Sequence, residues 1–342
     1  MSANKFRAAR RQPLNLSPDA LVKTGVLAEA AGPFPLVLSP GVENVNLTRW
    51  AETNRGRLQQ ELLRHGALLF RGFGVAGVDR FEGFARAISP ELLDYRERAA
   101  PRVEVGRNVY TSTEYPAQHP IPLHHEMSYS HNWPTKIWFC CLQAPRQRGA
   151  TPIADDRKVF RRIDPRIKET FMRKKVMYTR NYGEGVDLSW QEAFQTTDRA
   201  LVEKYCREAH TEFEWKGGDR LKTRQVRQAV ATHPETGETV WFNHAHMFHI
   251  SNVAPDVRAA LLEQFKEEDL PRNAYYGDGT PIETSVLDEI RGIYQEEAVV
   301  FPWREGDVMM LDNFLATHGR EPFVGPRKIV VAMAELYTNR DI

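Results

Sequence analysis

Short runs of β-branched, aromatic and other apolar residues, punctuated by Gly and Pro, restrict the fold of this chain more than any other feature. Seven of them fall at 108–113, 136–142, 227–232, 239–242, 299–301, 308–311 and 329–336. Runs of this length are too short for helices of ordinary size, and their recurrence points to an all-β core. Ahead of them, Asn46, Leu47 and Thr48 offer caps for a helix running to His65, followed by a buried-strand run at 67–70 and a second helix at 78–88. These form an N-terminal α+β layer. A mixed, charged stretch at about 157–224, with helices expected at 165–173 and 189–208, interrupts the strands and reads as a helical insertion or lid over the core. Amphipathic helices are expected at 255–268 and 283–296. Residues 1–45 read as an N-terminal arm and lead-in, and 46–342 as a single domain.

Composition excludes several functions. The chain has 342 residues, 42% of them hydrophobic, enough for a large core. Its 46 basic and 45 acidic residues leave a formal charge of +1, which gives no footprint for nucleic acid. The basic N-terminus lacks an apolar signal segment, and no stretch approaches 18 apolar residues, so a cytoplasmic protein with no membrane partner is expected. Three Cys cannot build a disulfide framework; Cys140 and Cys141, neighbours on one expected strand, should point to opposite faces and pack.

The chemistry-bearing residues begin with His-x-Glu triplets, of which there are three: His124 to Glu126, His210 to Glu212 and His233 to Glu235. In a strand, residues i and i+2 share a face, whereas on a helix they diverge by roughly 200°. A ligand pair at this spacing therefore needs extended backbone. The segment 199–215 reads as a charged helix with Leu201, Val202, Tyr205 and Cys206 as its apolar side, which separates His210 from Glu212. Residues 232–237 read as a hairpin tip marked by Pro234 and Gly237. Only His124 and Glu126 adjoin an extended stretch, where Pro120 and Pro122 discourage helix. Near the C-terminus His318 is followed nine residues later by Arg327. Two imidazoles and a carboxylate, with an Arg beyond the second His, describe a metal site for iron that takes a 2-oxo acid. His244, His246 and His249 could be taken for a second metal site, but they are read as structural.

Five segments carry a resemblance: 67–73, 111–116, 123–129, 149–155, and 306–313 running on through His318, Gly319 and Arg320 to Gly325, Pro326 and Arg327. Together they are similar to the TauD/TfdA-like superfamily of Fe(II)/2-oxoglutarate-dependent dioxygenases, over about residues 47–337. Within it the chain most resembles the branch that includes the syringomycin-biosynthesis hydroxylase and, more distantly, clavaminate synthase, where the ligand carboxylate is Glu. The Asn found between His and Glu in that branch is His125 here.

The resemblance implies a mainly β protein with α-helices: a double-stranded β-helix, a jelly roll of the cupin type, with flanking helices. It implies Fe(II) held by His124, Glu126 and His318, with 2-oxoglutarate and O2 as cosubstrates. The remote carboxylate of 2-oxoglutarate would meet Arg327 and Thr151, which follows Glu126 at the family spacing. Asn108, Tyr129, Asn181, Asn243 and Arg320 are the implied substrate contacts. The implied reaction is hydroxylation of an unactivated carbon in an amino acid or its derivative, free or bound to a peptidyl carrier protein, in natural-product (antibiotic) biosynthesis. Desaturation, epoxidation and ring closure use the same site, whereas Glu126 fills the position that chloride would need for halogenation. The alternatives are catabolic attack on a small sulfonate or similar acid, and a non-catalytic jelly-roll binding module.

Overall fold

The computed structural model describes residues 18–28, 30, 32–95, 102–113, 115–183 and 187–339. Eight strands form the larger sheet, in the order Val22–Gly25, Leu36–Pro40, Ala67–Phe70, Val308–Asp312, Asn132–Gln143, Lys328–Thr338, Val109–Thr111 and Glu104–Gly106. Neighbours are antiparallel except Leu36–Pro40 and Ala67–Phe70, which are parallel. A second sheet of Ile121–His124, Ala316–Arg320 and Ile153–Asp155 packs against the inner face, which makes the jelly-roll sandwich expected of the sequence.

Burial on both faces explains the unbroken apolar runs. On Val308–Asp312, Met309 and Leu311 face the inner core with Phe139 and Val331. Val308 and Met310 alternate to the other side, among Trp50, Leu58, Leu62, Phe81 and Phe84 of the covering helices. Cys140 and Cys141 divide between these two clusters, and burial raises both thiols, Cys141 to about 12.

The expected first helix is two, Leu47–Thr53 and Arg55–His65, because Asn54 leaves helical geometry (φ −121°) and its side chain caps Trp50 O at 2.8 Å. Gly66, at φ 73°, then turns the chain into Ala67–Phe70. Within the expected lead-in, Val22–Gly25 and Leu36–Pro40 are strands of the larger sheet, while 1–17 lie outside the described residues. Val299, expected in a strand, forms a lone bridge to Ile153.

The region 157–224 differs most from expectation. It contributes helices, yet its backbone is a four-stranded antiparallel sheet of Glu212–Lys216, Arg220–Arg227 and Val176–Tyr182, completed by the later strand Arg272–Tyr276. The helix expected to reach Trp215 ends at Glu208, and Glu212 opens a strand. Among the described residues no helix is long and apolar enough to cross a membrane.

Candidate metal centre and cosubstrate site

His124 and His318 stand directly opposite each other in an antiparallel pair, a register that brings their rings to a centroid distance of 4.5 Å. The strands approach closely beside them: a Cβ on Gly319 would lie 2.7 Å from Ile121 O. His124 Nδ1 lies 2.8 Å from Pro122 O, which fixes the hydrogen on Nδ1 and leaves the Nε2 lone pair for a metal.

Glu126 lies just beyond the strand end, in a turn whose next residue, Met127, has φ 59°. Asn313, fully buried, holds that turn. Its Oδ1 accepts from Glu126 N at 2.8 Å, and its Nδ2 donates to Glu126 O and Pro134 O, both at 2.9 Å. Glu126 Oε2 thereby comes within 3.7 Å of His318 Nε2. Ligand atoms of His124, Glu126 and His318 all lie within 4.8 Å of one another, and they form the one such cluster of three or more potential ligands among the described residues.

Electrostatics places each group in its ligating form. Burial and the adjacent His318 bring the His124 pKa down to about 3, and burial also lowers that of His318 against the opposing pull of Glu126. Burial alone would raise the Glu126 carboxyl, but Arg102, His318 and His124 outweigh it and hold the group well below the usual range. At neutral pH the cluster therefore presents two neutral imidazoles and one carboxylate.

Arg327 and Thr151 meet as well. Arg327 Nε donates to Gly149 O at 2.9 Å, Nη1 to Ser112 Oγ at 3.3 Å and Nη2 to Thr151 Oγ1 at 3.2 Å. One N–H on each terminal nitrogen lies beyond these contacts. Trp303 Nε1 donates to the same Thr151 oxygen at 3.0 Å, which engages both its lone pairs and leaves the hydroxyl hydrogen to donate. Burial, then the nearby Arg320, lower the Arg327 pKa to about 10, which leaves it charged at neutral pH.

The implied substrate contacts separate. Tyr129 is buried beside the cluster, edge-on to His244 at 5.0 Å and stacked on Phe248 at 5.2 Å. Asn108 sits at a hairpin turn (φ 62°) and binds Asp94. Asn181 donates to Glu268 O and Leu270 O, and Asn243 to Ala229 O while accepting from Ala245 N. Arg320 donates to the carbonyls of Thr113, Tyr115, Pro116 and His119. These last three side chains hold backbone in place. His125 points away from the cluster, its ring nitrogens 2.6 Å from Asn313 O and 3.0 Å from Trp241 O.

The other triplets are set aside by the fold. Glu212 is exposed and paired with Arg224, while His233 is buried 3.1 Å from Asp312 Oδ2 and Glu235 is exposed. His246 reaches Leu123 O and His249 reaches Ser251 Oγ, so no second metal cluster forms among the described residues. His244 lines the centre instead, 5.5 Å edge-on to His124 with its Nδ1 2.6 Å from Ser128 Oγ. Arg102, which no motif or periodicity marks, lies against Glu126 with Nη2 2.7 Å from Oε2.

The profile of the "Taurine catabolism dioxygenase TauD, TfdA family" matches residues 33–333. The chain is 42% identical over 278 residues to the dapdiamide synthesis protein DdaC of Enterobacter agglomerans, covering 81% of this chain and 84% of that protein. A clavaminate synthase-like protein of Arabidopsis thaliana is 30% identical over 321 residues, 89% of this chain and 94% of the relative. The fold is similar to that of PvcB from Pseudomonas aeruginosa, with a TM-score of 0.55 at 17% identity, covering 96% and 98% of the two chains.

Proposed function

Since the chain belongs to the TauD/TfdA family of dioxygenases, we propose that it is an Fe(II)/2-oxoglutarate-dependent oxygenase of natural-product biosynthesis. Its reaction is hydroxylation of an unactivated carbon in an amino acid or amino-acid derivative, free or carrier-bound. The observation that carries this reading is the convergence of His124, Glu126 and His318 within 4.8 Å, with Arg327 and Thr151 bonded to each other close by.

The donor set fits the metal: two neutral nitrogens and one carboxylate are the ligands of a divalent iron that keeps open positions. Such a centre supplies oxidative decarboxylation of 2-oxoglutarate by O2 to succinate and CO2, the second oxygen atom entering a substrate C–H bond. The protein's own residues do the rest. Asn313 fixes the carboxylate ligand through its backbone, and the Pro122 carbonyl fixes the His124 tautomer. Arg327 and Thr151 offer a charged fork and a hydroxyl donor to the remote carboxylate of the cosubstrate. Tyr129, His244 and Phe248 form an aromatic wall that excludes water beside the metal ligands. Glu126 would hold the metal where a halide would otherwise bind, which favours hydroxylation over chlorination. The biosynthetic assignment draws on the dapdiamide synthesis relative.

Anaerobic addition of Fe(II) and 2-oxoglutarate should give a visible metal-to-ligand charge-transfer band that His318→Ala lacks. Absence of the band in the wild-type protein would end the chelation reading. Product mass over free amino acids, and over the same amino acids on a carrier protein, identifies the substrate.

A further inference from the structure

We propose that Trp303 is a positioning residue of the 2-oxo acid site: by donating to Thr151 it commits that hydroxyl to donate in turn, and so selects a 2-oxo acid whose far end is a carboxylate over one whose far end is a methyl group. This rests on the cosubstrate reading above and adds to it a residue that acts through Thr151.

Contacts on both sides of Trp303 seat it at this point. Val299 and Ile153 exchange backbone hydrogen bonds, Ile153 N to Val299 O at 3.1 Å and Val299 N to Ile153 O at 2.8 Å, which lays the segment leading to Trp303 against the strand that follows Thr151. Beyond it, Arg71 Nη2 donates to Pro302 O at 3.0 Å and to Asp307 Oδ2 at 2.7 Å, while the same Asp307 oxygen accepts from Arg304 N at 2.9 Å. The Trp303 ring is buried and meets Phe301 edge-on at 5.9 Å. Its N–H therefore has a fixed aim, with Nε1 3.0 Å from Thr151 Oγ1.

Packing alone does not demand this bond. Trp50, Trp133, Trp138 and Trp241 are buried too, and their Nε1 atoms have no partner among the described residues. The fold tolerates a buried indole without a partner; what sets Trp303 apart is the oxygen on which its bond ends. A Thr hydroxyl has two acceptor sites and one hydrogen. Arg327 Nη2, at 3.2 Å, takes one acceptor site and Trp303 takes the other. With the indole N–H removed, one acceptor site falls open, and the hydroxyl can turn a lone pair toward a ligand as readily as its hydrogen. A carboxylate only accepts, so it gains from a hydroxyl held as a donor and loses when a lone pair faces it. A methyl group gains from neither. The effect of Trp303 is therefore confined to ligands with a far carboxylate.

Binding is read anaerobically, without turnover, on protein loaded with Fe(II). The charge-transfer band is followed with 2-oxoglutarate and with 2-oxopentanoate, which has the same chelating end and a methyl group in place of the far carboxylate. Wild-type protein should favour 2-oxoglutarate at least tenfold. Trp303→Phe should weaken 2-oxoglutarate about three- to tenfold, the scale of one hydrogen bond, with Mn(II) and 2-oxopentanoate affinities unchanged. Thr151→Val should lose at least as much, and adding Trp303→Phe to it should cost nothing further. The assignment is overturned if Trp303→Phe leaves 2-oxoglutarate affinity unchanged, weakens both acids alike, or adds its full effect in the Thr151→Val background; this last criterion decides alone if 2-oxopentanoate binds too weakly to give a band. If Trp303→Phe does not fold, as judged by circular dichroism, benzothienylalanine at position 303 keeps the bicyclic shape, replaces the N–H by sulfur and is held to the same criteria. Equal affinity of wild-type protein for the two acids, or an unchanged preference in Arg327→Ala, removes the cosubstrate reading itself and this assignment with it.

Discussion

Replacing Asn313 with Ala tests how Glu126, the proposed third metal ligand, is held. The side chain is fully buried and makes three hydrogen bonds, two to the backbone of Glu126 and one to Pro134 O. At about 1 kcal/mol net for each bond, the loss comes to about 3 kcal/mol, since water has no easy route to the partners left behind. The turn also places Met127 at φ 59°, a conformation that a side chain disfavours by about 1–2 kcal/mol, so Glu126 is held where the local backbone would not settle alone. Freed from the clamp, the carboxylate should lose its fixed aim at His318. Urea unfolding followed by tryptophan fluorescence should show Asn313→Ala destabilised by about 3 kcal/mol, and Mn(II) titration should show affinity reduced about tenfold or more. Asn313→Asp keeps the acceptor for Glu126 N but sets an anion against two carbonyls, and should be no better than Ala. A stability change below about 1 kcal/mol with unchanged Mn(II) affinity would show that the clamp does not position Glu126.

Three further outcomes are expected. His318→Ala and Glu126→Ala each abolish substrate-dependent succinate formation, whereas Glu212→Ala and Glu235→Ala, both on exposed carboxylates, leave it near wild type; loss with either of the latter in a folded protein would contradict the choice of ligands. Arg327→Ala raises the 2-oxoglutarate concentration needed for half-maximal rate by about tenfold or more, with a smaller effect on maximal rate, consistent with loss of a charged bidentate contact; an unchanged requirement removes its role. His246 is buried, which lowers its pKa to about 4, and its Nδ1 has no hydrogen-bond partner among the described residues. Between about pH 6.5 and 4 the unfolded chain takes up a proton that the folded one refuses, so stability falls with pH by up to about 3 kcal/mol from this group. His246→Gln should reduce the slope of unfolding free energy against pH in that window by close to one proton; an unaltered slope would contradict it.

The strands of the sandwich were legible because both of their faces are buried, so the sequence shows apolar runs such as Val308 to Leu311 without interruption. The inserted sheet was not. On Arg220–Arg227 the inward positions are Leu221, Thr223, Gln225 and Arg227, so the two-residue period carries polar side chains inward and hides from a hydrophobic reading. Their partners come from elsewhere in the chain: Gln225 donates to Tyr129 O and Arg227 to Ala209 O. The same gap misplaced the His210 and Glu212 backbone as helix, although the conclusion that they form no ligand pair agrees with the fold.

Motif spacing along the chain marked the residues proposed for the metal cluster and the carboxylate fork, because His124 with Glu126, and His318 with Arg327, are each separated by distances that a local segment can specify. Tertiary structure alone decided what surrounds them. Asn313 reaches Glu126 across 187 positions, and Arg102 arrives from a segment with no pattern to announce it. A buried charge is read from its neighbours in space, and sequence lists neighbours only along the chain. The candidate ligand set is therefore legible in the sequence, while the charge that lies against Glu126 is a property of the fold.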